Sequence, residues 1–172
     1  ILLAFQLSQG VSSAFGESKD SRVRSARSAL QQLYKTSPGA KVLAESAAGI
    51  LVFPKITKAG FLVGGQYGTG VLFKKGKVAG YYQSIAASYG LQAGIQQFGY
   101  ALFFMRESDL QYLSASSGWE IGVGPNITVV DEGFSRSIST TTAREGVFAF
   151  FFSHQGLMAG VGIQGTKISK MD

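Results

Sequence analysis

Ala47-Ala48-Gly49-Ile50-Leu51-Val52-Phe53-Pro54 is where the chain changes its hydrophobic period. Before Gly49 the apolar residues recur every three or four positions; after it they run together or alternate. Ser37-Pro38 reads as an N-cap followed by proline at the first helical position, because that site needs no backbone N–H. A helix from there runs to about Ala47 and stops at Gly49 as its C-cap. Ile50 to Phe53 then reads as a short buried strand ended by Pro54, and Phe61 to Phe73 as a long one. In the long strand the odd positions are mostly large, and three of the six even ones, Gly64, Gly68 and Gly70, are glycine. Glycine weakens a strand, so a face rich in it implies bends, bulges or close approach of another layer. A single switch of period, with no alternation of helix and strand, predicts an α+β fold. Two N-terminal helices pack on a curved, mainly antiparallel, Gly-rich β-sheet, barrel- or sandwich-like, with one further short helix.

Working outward, Lys74-Lys75-Gly76-Lys77 reads as a hairpin turn. Val78 to Met105 holds two or three more strands, broken near Gly90 and Gly99. Ser108 to Ala115 is the short helix, capped by Ser108 and closed by Gly118. Ile121 to Val130 reads as a strand, and the polar Asp131 to Ala143 as a loop or sheet edge. Val147 to Ser153 and Leu157 to Ile168 form a closing hairpin about Gln155-Gly156. Towards the N-terminus, Ser18 to Tyr34 is helical, with Val23, Ala26, Leu30, Leu33 and Tyr34 on one arc. Arg22 and Arg27 flank that arc, and Arg24, Gln31 and Lys35 lie further round. Such a stripe serves either a membrane, with arginine heads among phosphates, or an ordinary core. Ile1 to Leu7 is apolar and too short to cross a bilayer. With Ser12-Ser13-Ala14 behind it, it reads as a signal-peptide remnant, or else as a retained apolar anchor. Residues 1–16 are thus a leader and 17–172 a single domain.

Composition narrows the chemistry. The 172 residues carry 45% hydrophobic and 15% charged side chains and 23 glycines, which excludes a disordered chain. There is no cysteine and one histidine, His154, so disulfides, thiolate metal sites and histidine clusters are excluded. The net charge of +6 is concentrated early, in Glu17 to Lys58. A basic segment on a near-neutral domain fits a lipid surface, a nucleic acid or an acidic protein, and also a plain solvated helix face. The aromatic run Phe148, Phe150, Phe151 and Phe152 is far in sequence from that basic third, so no nucleic-acid stacking platform is expected. Gly64 to Gly70 imitates a phosphate loop, but Val71-Leu72-Phe73 continues it as strand where a helix is required. Ala86-Ala87-Ser88-Tyr89-Gly90, with Asp131 and His154, loosely copies a hydrolase triad, yet glycine follows where a helix must propagate. Asp131-Glu132 and Glu107 with Asp109 fit loop and cap roles. A non-enzymatic protein with no cofactor and no metal is the expectation.

Gly49-Ile50-Leu51-Val52-Phe53-Pro54-Lys55-Ile56-Thr57-Lys58-Ala59-Gly60-Phe61 resembles the signature of the SYLF lipid-binding domain family. The likeness continues at Gly64 to Gly70, Ser88 to Gly94, Gly118-Trp119, Gly156 to Val161 and Gly165-Thr166-Lys167, in the family's order. The resemblance implies a membrane-peripheral module that binds anionic lipids, in which a basic N-terminal helix takes part. Tyr81-Tyr82-Gln83-Ser84 stands where eukaryotic members carry a tryptophan-serine-proline stretch, so the chain looks more like the exported bacterial branch. Actin is then not an expected partner, an anionic bacterial lipid is, and the location is periplasmic or at the outer membrane. The expected lipid-binding residues are Arg22, Arg24, Arg27 and Lys35 on the helix, joined in one basic face by Lys55 and Lys58 in the turn after Pro54. The alternative is a structural or assembly protein docking into a cell-envelope complex. A membrane β-barrel is not expected, since the chain reads helix first and ends Ser169-Lys170-Met171-Asp172.

Overall fold

The computed structural model describes residues 17–139, 146–152 and 163–171, with 61–63 and 88–96 described by their backbone alone. Helix α1 spans Lys19–Thr36. Ser18 caps it by accepting the Ser21 N–H at 3.1 Å, and Asp20 and Lys35 sit at the ends that suit their charges. Helix α2, Pro38–Ser46, begins on the expected proline. Ser37 does not cap it through its side chain; that hydroxyl is engaged with the Ser135 hydroxyl. The helix ends at Ala47, whose N–H reaches Leu43 O at 2.9 Å. Gly49 is therefore not a C-cap but the first residue of a strand.

Strand β1 runs unbroken over Gly49–Lys74 and β2 over Lys77–Phe104. They pair antiparallel from Lys74↔Lys77 to Gly49↔Phe104. The turn is the one expected: Lys75 (φ 53°) and Gly76 (φ 77°) both take the left-handed backbone of a two-residue hairpin turn. The expected breaks at Pro54, Gly90 and Gly99 are corrected. Pro54 falls inside a register shift between Phe53 and Ile56, where a missing N–H costs no ladder bond. Gly99 lies within β2 because a Cβ there would stand 2.5 Å from Pro54 O.

The ribbon doubles back on itself past a second register shift at Gly60/Leu62, where Gly60 has φ 133°. Its two halves approach so closely that a Cβ on Gly70 would stand 2.5 Å from Val52 O and 2.6 Å from the Phe53 ring. Gly68 likewise has Lys55 O at 2.6 Å from a Cβ position. The glycine face of the sequence is this seam.

Each half-sheet is then extended. Strand β5 (Val147–Phe151) pairs with Tyr100–Phe104 and, in parallel, with β4 (Ile127–Val129). Strand β6 (Lys167–Met171) pairs with Tyr81–Ile85 and with β3 (Trp119–Glu120). Only Ile127–Val129 of the expected Ile121–Val130 strand is a strand, since Gly122 (φ 113°) and Gly124 (φ 86°) turn the chain before it. The expected short helix is α3 (Glu107–Leu110), extended by a 3-10 turn over Gln111–Ser114. It starts after Arg106 rather than at Ser108, and Arg106 Nε pairs with the buried Asp109 at 3.3 Å. The stretch expected as a loop contains a helix, α4 (Glu132–Ser137), because Asp131 Oδ1 accepts the Phe134 N–H at 2.7 Å. The hairpin expected about Gln155-Gly156 lies outside the described residues.

The fold is α+β, a curled mixed sheet forming a half-barrel, with α1 and α2 on its outer side and α3 with its 3-10 turn packed on its inner side through Leu110 and Leu113. Leu51, Phe53, Ile56, Leu72, Tyr100, Leu102, Phe104, Trp119 and Ile168 fill the inside of the curl. Ile50, Val52, Val71, Phe73, Ala101, Phe103, Phe148 and Phe150 form the outer face, packed under Ala26, Leu30, Leu33, Ala40 and Leu43. Burying such side chains is worth ~1.5–3 kcal/mol each, so α1 spends its apolar arc on this core.

Candidate functional site: a basic helix–turn surface

Alternation along β1 puts Phe73 on the outer face, beside the tip of the hairpin. The Arg27 guanidinium stacks 4.9 Å from the Phe73 ring centroid and donates from Nη1 to Gly76 O at 3.1 Å. A long, rotamer-rich side chain is thereby fixed against the turn. Lys75, Gly76, Lys77 and Val78 are all exposed around it, Val78 at 37%. Lys74 is turned aside to Glu107, 3.3 Å away. Earlier on α1, Lys19 Nζ lies 5.2 Å over the Tyr81 ring. Val78 stands opposite Phe73 on the outer face, beside the turn on which Arg27 is fixed, while Lys77 pairs with Lys74 one pleat further on. Lys75 and Lys77 are exposed on either side of Gly76, and Arg24 is exposed one helical turn from Arg27. Fixed cations beside an apolar residue can meet a layer of anionic groups without first being ordered.

The six residues expected to bind do not form one surface. Arg24, Arg27 and Lys35 are exposed on α1. Arg22, on the opposite flank of the apolar arc, is half-buried, and its Nε is buried without a hydrogen-bond partner among the described residues. Lys55 and Lys58 lie within β1, not in a turn. Ile56 points into the curl, so the pleat sends Lys55 outward and Lys58 to the inner side. Lys55 is exposed and Lys58 half-buried. The Lys55 backbone lies against Gly68, and the strand from there to Gly76 is about eight residues or roughly 26 Å long. The lysines that do accompany Arg27 are Lys75 and Lys77, absent from the sequence-based set. Three lysines within Lys74 to Lys77 were the available signal; the pairing across 49 residues that brings α1 to them was not.

The patterns that imitate catalytic motifs are strand. Gly64 to Gly70 and Ser88 lie in the β1–β2 ladder, and His154 lies outside the described residues. Among the described residues no group of three His, Cys, Asp or Glu could hold a metal ion, and no helix is long and apolar enough to cross a membrane. Compared with protein-family models the chain matches none, and compared with curated proteins it has no match either.

Proposed function

We propose that this protein is a non-enzymatic, membrane-peripheral domain that binds anionic lipid surfaces through α1 and the Lys75-Gly76-Lys77 turn. The observation that carries the reading is the clamp of Arg27 on the turn, by stacking on Phe73 and by the bond to Gly76 O. It brings Arg27 of α1 onto the turn that carries exposed Lys75 and Lys77, two distant parts of the chain, next to exposed Val78. Each basic residue near an anionic bilayer contributes about 1 kcal/mol, so Arg24, Arg27, Lys75 and Lys77 together give a weak, salt-sensitive attachment of about 4 kcal/mol. The resemblance to the SYLF family supports the same class of ligand. It also supports an exported protein at the bacterial cell envelope, where phosphatidylglycerol-like lipids supply the charge.

The α1 contact is electrostatic. Its apolar arc belongs to the core, so the helix offers the bilayer charges and no insertion stripe. Co-sedimentation with phosphatidylglycerol vesicles tests the reading. Binding is expected at low salt, to fall as salt rises, and to be lost on phosphatidylcholine vesicles. Equal binding to both lipids at all salt concentrations would overturn it.

A further inference from the structure

The outer face of the sheet is covered by α1 only as far as Val71 and Tyr81. Beyond them, towards the doubled-back end of the ribbon, the outward positions are Thr69↔Gln83 and Tyr67↔Ile85. Tyr67 is 49% exposed and Ile85 46%, and the two stand directly opposite each other. Lys167 of β6 is the next partner across from Ile85, exposed on the same face, with exposed Glu120 beyond it. On the other side of the seam stands Lys55, outward and exposed. Lysines thus stand on either side of the Tyr67–Ile85 pair: Lys167 as the next partner in the ladder, and Lys55 across the seam, its carbonyl against Gly68, the neighbour of Tyr67. Continuing along the ribbon, the sequence at its far end is Ala59-Gly60-Phe61-Leu62-Val63.

We infer that this end of the ribbon is a second bilayer contact, in which Tyr67 and Ile85 enter the headgroup region and Lys55 and Lys167 flank them. The inference rests on the proposed lipid binding and supplies the apolar contact that α1 lacks. Tyrosine suits the bilayer interface because its ring is apolar and its hydroxyl polar. Lysine suits the flank because its stem lies along apolar groups while its ammonium reaches phosphate. An apolar pair exposed on one strand face and bracketed by lysines matches that layered chemistry, whereas a protein partner requires no such bracket. Tyr67 lies about nine residues, roughly 30 Å of strand, from Gly76. That separation is several times the ~8 Å screening length of physiological salt, so the two surfaces contribute independently.

The chain lacks cysteine, so Ile85→Cys gives a single attachment point for an environment-sensitive fluorophore. With phosphatidylglycerol vesicles the label is expected to shift to the blue and to be quenched by lipids brominated near the headgroup. Tyr67→Ser with Ile85→Ser is expected to weaken vesicle partitioning about tenfold, through lost apolar contact, with an unchanged thermal melt. Wild-type protein that sediments with vesicles while the label neither shifts nor is quenched overturns this inference and leaves the α1–turn reading standing. Wild-type protein that fails to sediment overturns both. Two other occupants are distinguished in the absence of vesicles. A label shielded in proportion to protein concentration assigns the face to a second copy of the chain. A label unshielded by removal of residues 1–14 assigns it to the chain's own N-terminal segment. Either result overturns the bilayer contact.

Discussion

Gly70→Ala tests the seam on which the whole arrangement depends. The added methyl would stand 2.5 Å from Val52 O and 2.6 and 2.8 Å from two atoms of the Phe53 ring. One of these neighbours is backbone of the facing half of β1, and the other is a fully buried ring, so neither moves alone. Forcing a methyl into a packed site costs about 1–3 kcal/mol. Replacing glycine within a strand returns about 0.5–1 kcal/mol of chain entropy. The net loss is then about 0.5–2 kcal/mol, and at this chain length each kcal/mol lowers Tm by about 2–4 °C. A fall of about 1–8 °C is expected in a far-UV circular dichroism melt. Gly65→Ala is the matched control, since its Cβ would meet only Ala86 O at 3.7 Å. It lies on the same strand and is exposed, so Tm is expected to hold or rise slightly. If Gly70→Ala melts with the wild type, or if Gly65→Ala falls as far, the halves of the ribbon do not meet as described.

Arg27→Glu with Lys75→Glu removes two attractive charges and adds two repulsive ones. At about 1 kcal/mol for each unit of charge, binding to phosphatidylglycerol vesicles is expected to drop by at least two orders of magnitude at low salt; unchanged sedimentation would remove the helix–turn surface from the mechanism. Arg22→Glu is expected to behave differently, lowering Tm, because the Arg22 side chain is half-buried with Nε out of contact with water; a normal melt with lost vesicle binding would contradict this. Burial drives the Tyr100 hydroxyl well above the ordinary tyrosine range, against a smaller opposing effect of its 3.0 Å bond to Ser84. Above pH ~10 the unfolded chain gives up that proton and the folded one keeps it, so stability falls as pH rises. Spectrophotometric titration is expected to leave one tyrosine protonated until the fold is lost. Asp109→Asn is expected to cost about 1–3 kcal/mol in a denaturant melt, since Asp109 is buried and charged hydrogen bonds from Arg106 are weakened.

The fold class was legible in the change of period at Gly49 and in the glycine face of Phe61 to Phe73. The hairpin turn was legible too, because a two-residue turn announces itself in local chemistry. Strand ends were not. Pro54, Gly90 and Gly99 are ordinary strand breakers, and here tertiary contacts overrule them: Pro54 is accommodated by a register shift, and Gly99 gives that shift room. Helix α4 was hidden because its stability comes from the Asp131 cap and from Ser135 bonding to Gly39 N, a contact nearly a hundred residues away in sequence. The same holds for the site. Periodicity identified Arg24 and Arg27 as lying away from the centre of the apolar arc, and both are exposed. Arg22, on the arc's other flank, is half-buried. It could not reveal that Arg27 meets the Lys75–Lys77 turn, nor that Lys55 and Lys58 face opposite ways on a strand.

Because β1 and β2 each run through both half-sheets, the order in which the molecule assembles is constrained. The ladder is seeded where the chain is shortest, at Lys74↔Lys77, and its last rung, Gly49↔Phe104, closes only after every residue between them has been made and laid down. Long-range pairing of this kind folds slowly, since closure entropy comes before the contacts that offset it. Meanwhile α1 emerges from the ribosome before the ribbon does, and holds an apolar arc whose partner, Phe103, lies far downstream. The nascent chain therefore carries an uncovered amphipathic helix throughout synthesis of the ribbon. In pulsed hydrogen exchange, protection should spread from the hairpin tip towards Gly49 and reach α1 last.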